Sequence, residues 1–174
     1  QLSSRLRMQP GKNRLWYLMA FSAHSGDPWY WMLAFALVFL FGDYQWKMRA
    51  AVLFISTFLL GMVTTILKYL FRRSRPPGTW GTIYRTADPH SFPSGHAARS
   101  AMLAVLGIGM GPAWLAIILI LHAPLVIFSR VSTGVHFLSD VVAGMAVGII
   151  FGLVILVSEP LIVSIVQHLM QLYY

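Results

Sequence analysis

Three apolar stretches constrain this chain more than any other feature. Ala50 to Leu67 holds no charged residue, His96 to Arg130 is apolar except for Arg99, His122 and its two ends, and His136 to Val157 carries only Asp140 past its first histidine. About 20 predominantly apolar residues suffice to cross roughly 30 Å of hydrocarbon. Such runs leave the surface of a water-soluble fold without polar residues to face solvent. The composition agrees: 57% of the residues are apolar and 10% charged, against about a quarter charged in an ordinary soluble domain. The reading is an all-α, polytopic helix bundle of five or six spans, forming one domain over residues 1–174.

Along the chain, Gln1 to Arg14 is polar and basic, and Leu15 to Phe21 is too short to span. Residues 1–25 therefore read as an interfacial segment with a surface helix, Trp16 and Tyr17 standing at headgroup depth. After Ser25-Gly26-Asp27-Pro28, the run Trp29 to Phe41 makes a short first span, extended if Tyr44 and Trp46 form its aromatic belt. Ala50 to Leu67 makes a second, expected to continue as helix through Lys68 to Arg75 and stop before Pro76-Pro77-Gly78. A polar loop over 72–95 follows. Gly107, Gly109, Gly111 and Pro112 split His96 to Arg130 into spans three and four. Span five runs from His136 to Val157, with Gly144, Gly148 and Gly152 spaced for close approach of a neighbouring backbone. Leu161 to Tyr174 reads either as a sixth short span or as another interfacial helix. The opening residues do not read as a cleavable signal peptide, and a start at Gln1 rather than Met leads us to expect an upstream segment.

The net charge of +8, from 13 basic residues against 5 acids, would invite a nucleic-acid reading in a soluble protein. Here Lys68, Arg72, Arg73, Arg75, Arg85, Arg99 and Arg130 gather around the short polar segments between apolar runs. That placement fits an anionic ligand or a lipid headgroup, so membrane lipids are expected partners and nucleic acid is not. The chain has no cysteine, hence no disulfide and no thiolate ligand, and its acids are too few for a magnesium site. No metal and no cofactor are expected.

Polar residues that a bilayer penalises stand at four helix ends: the end of span two, the start of three, the end of four and the start of five. Antiparallel threading brings those ends to one face, and charges at membrane depth are usually functional. Lys68, Arg75, His96, Arg99, Arg130, His136 and Asp140 therefore converge by topology alone. On one helix Lys68 and Arg75 would lie two turns apart on a common face, with Arg72 beside them, so both could reach one phosphate. Arg72 and Arg73 read rather as side chains snorkelling to headgroups. Ser94 and Gly95 open a helix and offer a hydroxyl and backbone amides to an anion. His136 and Asp140, four apart, share a helical face on which the carboxylate can hold the Nδ1 proton and leave Nε2 free.

The same residues stand as Lys68 with Arg75-Pro76, as Pro93-Ser94-Gly95-His96, and as Ser129-Arg130 with His136 and Asp140. In that order and spacing they resemble the three-part signature of the type 2 phosphatidic acid phosphatase family, with every part complete over residues 68 to 140. The resemblance implies a metal-independent lipid phosphatase. His136 would be the nucleophile, and His96 the acid that protonates the departing alkoxide and then the base that activates water. Asp140 would orient His136, and Lys68, Arg75, Ser94, Gly95 and Arg130 would bind phosphate. Arg99, one turn past His96, has two open readings: a contact to a second phosphate, or a structural partner such as a helix-end carbonyl. His122 reads as a packing histidine, and His24, His90 and His168 as loop or interface residues.

Candidate substrates are phosphatidate, phosphatidylglycerophosphate, undecaprenyl diphosphate and the lipid A phosphates. A lipid phosphotransferase using the same histidine and a non-enzymatic lipid-phosphate-binding protein are the alternatives. Counting Arg5, Arg7, Lys12 and Arg14 with the site cations against Lys47 and Arg49, the positive-inside rule puts the site in the cytoplasm. The resemblance implies a multi-pass protein of the cell membrane with its site facing outward, and we follow it because catalytic cations distort such a count.

Overall fold

The computed structural model describes residues 3, 6–11, 13–78 and 80–172, with side chains except at 83 and 84. Gln1, Arg5, Lys12 and Tyr174 lie outside the described residues. Among the described residues the helices are α1 (Arg14–Ser25), α2 (Pro28–Phe41), α3 (Tyr44–Phe71), α4 (Thr82–Ala87), α5 (Gly95–Met110), α6 (Ala113–Ser132) and α7 (Leu138–Gln171). Three of them, α3, α6 and α7, are long and apolar enough to cross a membrane. α2 with 14 residues and α5 with 16 fall short of a full crossing.

Local chemistry sets the helix starts. The Asn13 side chain accepts from the Trp16 amide at 2.8 Å and Asp43 from Trp46 at 2.9 Å, each satisfying an amide that a helix start leaves unpaired. Pro28 opens α2, where its missing N–H costs nothing. Gly111 ends α5 and Pro112 precedes α6, the break expected from the sequence. Tyr44 and Trp46 belong to the start of α3 rather than to an extension of α2, because Asp43 caps a new helix there.

The core lies where α3, α5, α6 and α7 meet, around Val52, Leu60, Met102, Leu103, Leu106 and Leu119. The outward faces are apolar as well, with Leu121, Ile150 and Val157 exposed, as a bilayer environment requires. α5 and α7 approach closely: a Cβ placed on Gly148 would lie 2.0 Å from the Ala98 carbonyl oxygen, and one on Gly144 2.4 Å from that of Ser94. The expected role of these glycines in close packing is thus seen directly.

Two expectations are corrected. α7 continues through Pro160 to Gln171, about 51 Å at 1.5 Å per residue, so the described part of Leu161 to Tyr174 is neither a separate span nor a separate interfacial helix. Proline inside a helix loses one hydrogen bond, which membrane helices tolerate; Pro124 inside α6 is a second case. And α3 ends at Phe71, not Arg75. Arg72 takes a left-handed conformation (φ 47°) with its amide bonded to the Lys68 carbonyl at 2.8 Å. The chain then turns away to pair with residues 90 and 91.

Candidate active site

Leaving α3, the backbone around Ser74 forms an antiparallel bridge with His90, and Ser91 donates its amide to the Arg73 carbonyl at 2.7 Å. This pairing, not a helical face, delivers Arg75 to the site. Its Nε donates to the Asp88 carbonyl at 2.7 Å, Nη2 to the Asp88 carboxylate at 2.9 Å, and Nη1 to the Val135 carbonyl and to His136 Nε2, each at 3.1 Å. Lys68, on the last turn of α3, is ion-paired to the same Asp88 carboxylate. One carboxylate thus lies between the two cations expected to bind phosphate.

His136 is buried in the turn between α6 and α7. Its Nδ1 lies 2.8 Å from the Ser91 carbonyl, which can only accept, so Nδ1 carries the proton and Nε2 keeps the lone pair. Arg75 donating to Nε2 fits that tautomer. Burial pushes the imidazole pKa well below its ordinary value; the nearby Asp140 carboxylate opposes this, and the charges of Arg130, Arg75 and Lys68 reinforce it. The ring is held neutral, the form a nucleophile requires.

Asp140, fully buried, is 3.7 Å from His136 Nδ1, so the nearer holder of that proton is the Ser91 carbonyl, not the carboxylate as expected. The carboxylate accepts instead from the Phe137 amide at 2.8 Å and from Arg73 Nη1 at 2.9 Å. Arg73 also bonds the Ser139 hydroxyl at 2.7 Å and stacks over the Phe137 ring. It is therefore a brace on the histidine-bearing turn rather than a snorkelling lysine-like anchor, whereas Arg72 is exposed and bonded to its own helix end. The Asp140 carbonyl accepts from the Ser94 amide at 2.9 Å, which ties the start of α7 to the start of α5.

Ser94 is fully buried and its hydroxyl accepts from the Ala97 amide, capping α5. A Cβ on Gly95 would lie 4.0 Å from Lys68 Nζ and 3.6 Å from the Thr64 hydroxyl, so glycine keeps the space beside the cation open. His96, in the first turn of α5, presents Nε2 to Asp27 at 2.6 Å. Arg130 donates to the Ala23 carbonyl at 3.2 Å and Arg99 to the Gly26 carbonyl at 2.6 Å. Both arginines thus meet the carbonyl-rich end of α1, where the helix dipole favours cations. Arg99 has the helix-end carbonyl partner, and it also borders the cavity described next. His122 is a satisfied packing histidine, bonded to the Ser25 hydroxyl at 2.9 Å and edge-on to Trp31.

A cavity of about 840 Å³ lies beside part of this cluster. Lys68, Gly95 and His96 stand in its wall together with Trp29 and Met32 of α2 and Phe58 and Met62 of α3. Trp29, Phe58 and Met62 are themselves exposed on the outer face, so the cavity opens sideways between α2 and α3. Among the described residues no group of three or more His, Cys, Asp or Glu could hold a metal ion.

Sequence reasoning missed Asp27, Asp88, the bracing role of Arg73 and the Ser91 carbonyl. A signal for the two carboxylates existed: the chain has only 5 acids, and Asp27, Asp88 and Asp140 all stand among the site's basic groups. The Ser91 carbonyl carries no residue signature at all.

A profile of the PAP2 superfamily matches residues 49–162. An undecaprenyl-diphosphatase from Sulfolobus acidocaldarius is 31% identical over 75% of this chain and 64% of its own length. A lipid A 4'-phosphatase from Bacteroides thetaiotaomicron is 31% identical over 69% of this chain and 59% of its own. The chain thus spans about three fifths of the length of the curated relatives it matches. The fold is that of the transmembrane PAP2 type phosphatidylglycerolphosphate phosphatase from Bacillus subtilis, with a TM-score of 0.71 at 23% identity over 88% of this chain and 80% of that one. Aquifex aeolicus LpxE gives 0.62 at 24% identity over 89% and 92%. With a profile match that encloses all three parts of the signature, this chain belongs to the PAP2 superfamily.

Proposed function

We propose that this chain is a lipid phosphatase of the cell membrane that cleaves a phosphomonoester or diphosphate through a phosphohistidine on His136. The observation that carries the reading is the state of His136: neutral, its Nδ1 proton given to the Ser91 carbonyl and its Nε2 lone pair aimed at the Arg75 guanidinium beside Lys68. A phosphate drawn to these cations in place of the Asp88 carboxylate meets that lone pair directly.

Nε2 forms a bond to phosphorus as the bond to the lipid oxygen breaks, and His96 gives its proton to the leaving oxygen. Lys68, Arg75 and Arg130 balance the charge that spreads over the equatorial oxygens. Water then gives a proton to His96 while its oxygen attacks phosphorus, releasing inorganic phosphate and restoring His136. The sideways cavity between α2 and α3 suits a lipid tail, and relatives bear names of phosphatases acting on prenyl diphosphate and lipid A. The site faces outward in this reading.

Purified protein in detergent is expected to release inorganic phosphate from a long-chain lipid phosphate in excess EDTA, with inhibition by vanadate and with glycerol phosphate a poor substrate. Activity lost in EDTA and restored by Mg2+ or Zn2+ contradicts the metal-free mechanism. Phosphate bound but never released, even over long incubation, supports the non-enzymatic alternative.

A further inference from the structure

The α1–α2 turn lies outside the stretch 49–162 that carries the superfamily match, yet it places a carboxylate on one of the two histidines. We infer that Asp27 is the positioning residue for His96, holding Nε2 so that Nδ1 is the nitrogen that exchanges protons with substrate and water. The inference rests on the phosphatase reading for its consequence in turnover, but the contact it interprets does not.

The geometry is specific. Asp27 Oδ1 is 2.6 Å from His96 Nε2. The ring edge carrying Cδ2 and Nε2 faces the turn, since a Cβ on Gly26 would come within 3.0 Å of Cδ2, so the edge carrying Nδ1 faces away from it. Asp27 precedes α2 at the position where an aspartate ordinarily caps the helix, but it makes no such side-chain bond. Its carboxylate turns to His96, and its other oxygen to His24 Nδ1 at 3.3 Å.

Charge explains why a carboxylate is needed there. Burial weighs most against a protonated His96, and the charges of Arg130 from α6, Arg99 from its own helix, His136 from the α6–α7 turn and Lys68 from α3 add to it. Three of these are cations, and together with burial they work against a protonated imidazole. A general acid has to carry a proton when substrate arrives. Asp27 opposes the cations at hydrogen-bond distance and favours imidazolium. When the P–O bond breaks, the Nδ1 proton passes to the leaving oxygen and the Nε2 proton stays with Asp27. Water later returns a proton to Nδ1, and the carboxylate ends as it began.

The test uses full-length protein in detergent with wild type, Asp27→Asn and Asp27→Glu. Two substrates are compared, a long-chain alkyl phosphate whose alkoxide needs a proton and an activated aryl phosphate whose leaving group does not. In Asp27→Asn, kcat on the alkyl phosphate at neutral pH is expected to fall roughly tenfold or more, and on the aryl phosphate less than about threefold. KM stays near wild type. The alkaline limb of kcat moves to lower pH by at least about one unit, because an opposite charge at this distance is worth that much to a histidine, and Asp27→Glu recovers most of the rate. Equal loss on both substrates with an unmoved limb makes Asp27 merely structural and overturns the inference.

NMR titration of the His96 imidazole supplies the readout that does not depend on turnover, with a fall of at least about one pH unit in Asp27→Asn and no fall overturning the proposal. If wild type proves inactive, the phosphatase reading fails while this titration still decides the role of Asp27. If Asp27→Asn does not fold, Asp27→Ser and Asp27→Glu are titrated instead, the first expected to lower the value and the second to keep it.

Discussion

The two walls of the site are built on opposite principles. Along the α5–α7 seam, backbone meets backbone: Gly144 and Gly148 leave no room for a methyl group, the Ser94 amide is bonded to the Asp140 carbonyl, and Asp140 is buried, as are His136 in the adjoining α6–α7 turn and Arg130 on α6. Across from it, α3 leaves Gly61 with nothing within 4 Å of a Cβ and the buried Thr57 hydroxyl without a hydrogen-bond partner. The difference assigns the walls different work. Under the proposed function the closed seam would fix His136 and Asp140 in place, and a hydrocarbon tail would take the space between α2 and α3.

The sharpest break of that contrast is Gly148→Ala. Its methyl must displace the Ala98 backbone, an overpacking that costs about 1–3 kcal/mol or more and parts α5 from α7. Little folded protein and no phosphate release are expected, read by thermal unfolding in detergent and by phosphate assay; wild-type behaviour would mean the seam is looser than drawn. Asp140→Asn comes next. Because the Ser91 carbonyl already sets the His136 tautomer, turnover is expected to fall roughly tenfold to a hundredfold, less than the ten-thousandfold seen where an aspartate alone sets the tautomer. A loss of that full size would return the tautomer to Asp140.

The open wall is tested by Gly61→Trp, which fills the cavity beside Met62. The expected result is a KM several-fold higher for a long-chain lipid phosphate with little change for a short-chain one. An equal effect on both chain lengths would place the tail elsewhere. The smallest effect belongs to Gly61→Ala, where a methyl enters open space and helix propensity gains about 0.5–1 kcal/mol. Unchanged activity and equal or slightly higher thermal stability are expected. Set beside Gly148→Ala, the same substitution measures the two walls directly.

Much of the closed seam was readable from residue types. The glycine spacing in α7 and the Gly111-Pro112 break declare themselves through their backbone effects, and the histidines with their cations because polar groups are costly in a bilayer. What was not readable depends on contacts distant in the chain. Nothing local to Arg72 says that it will take a left-handed conformation; the pairing of Ser74 with His90 and of Ser91 with Arg73 decides it. The same pairing aims Arg75, and it turns the Ser91 carbonyl into the partner of His136. Asp27 hid for a similar reason, because a turn residue beside proline has a sufficient local explanation as a helix cap. The end expected at Val157 erred in the opposite sense, because α7 continues through Pro160.

The central claim is that His136 takes the phosphoryl group and His96 handles the protons. The most direct test is covalent phosphate on the protein, acid-labile and base-stable, after rapid quenching with an activated aryl phosphate. Wild type is expected to label transiently, His96→Ala to accumulate label because the first step proceeds without its proton and the second lacks its base, and His136→Ala not to label at all. Label in His136→Ala with none in His96→Ala reverses the two roles, and no label in any of the three while wild type turns over replaces the covalent mechanism with direct attack by water.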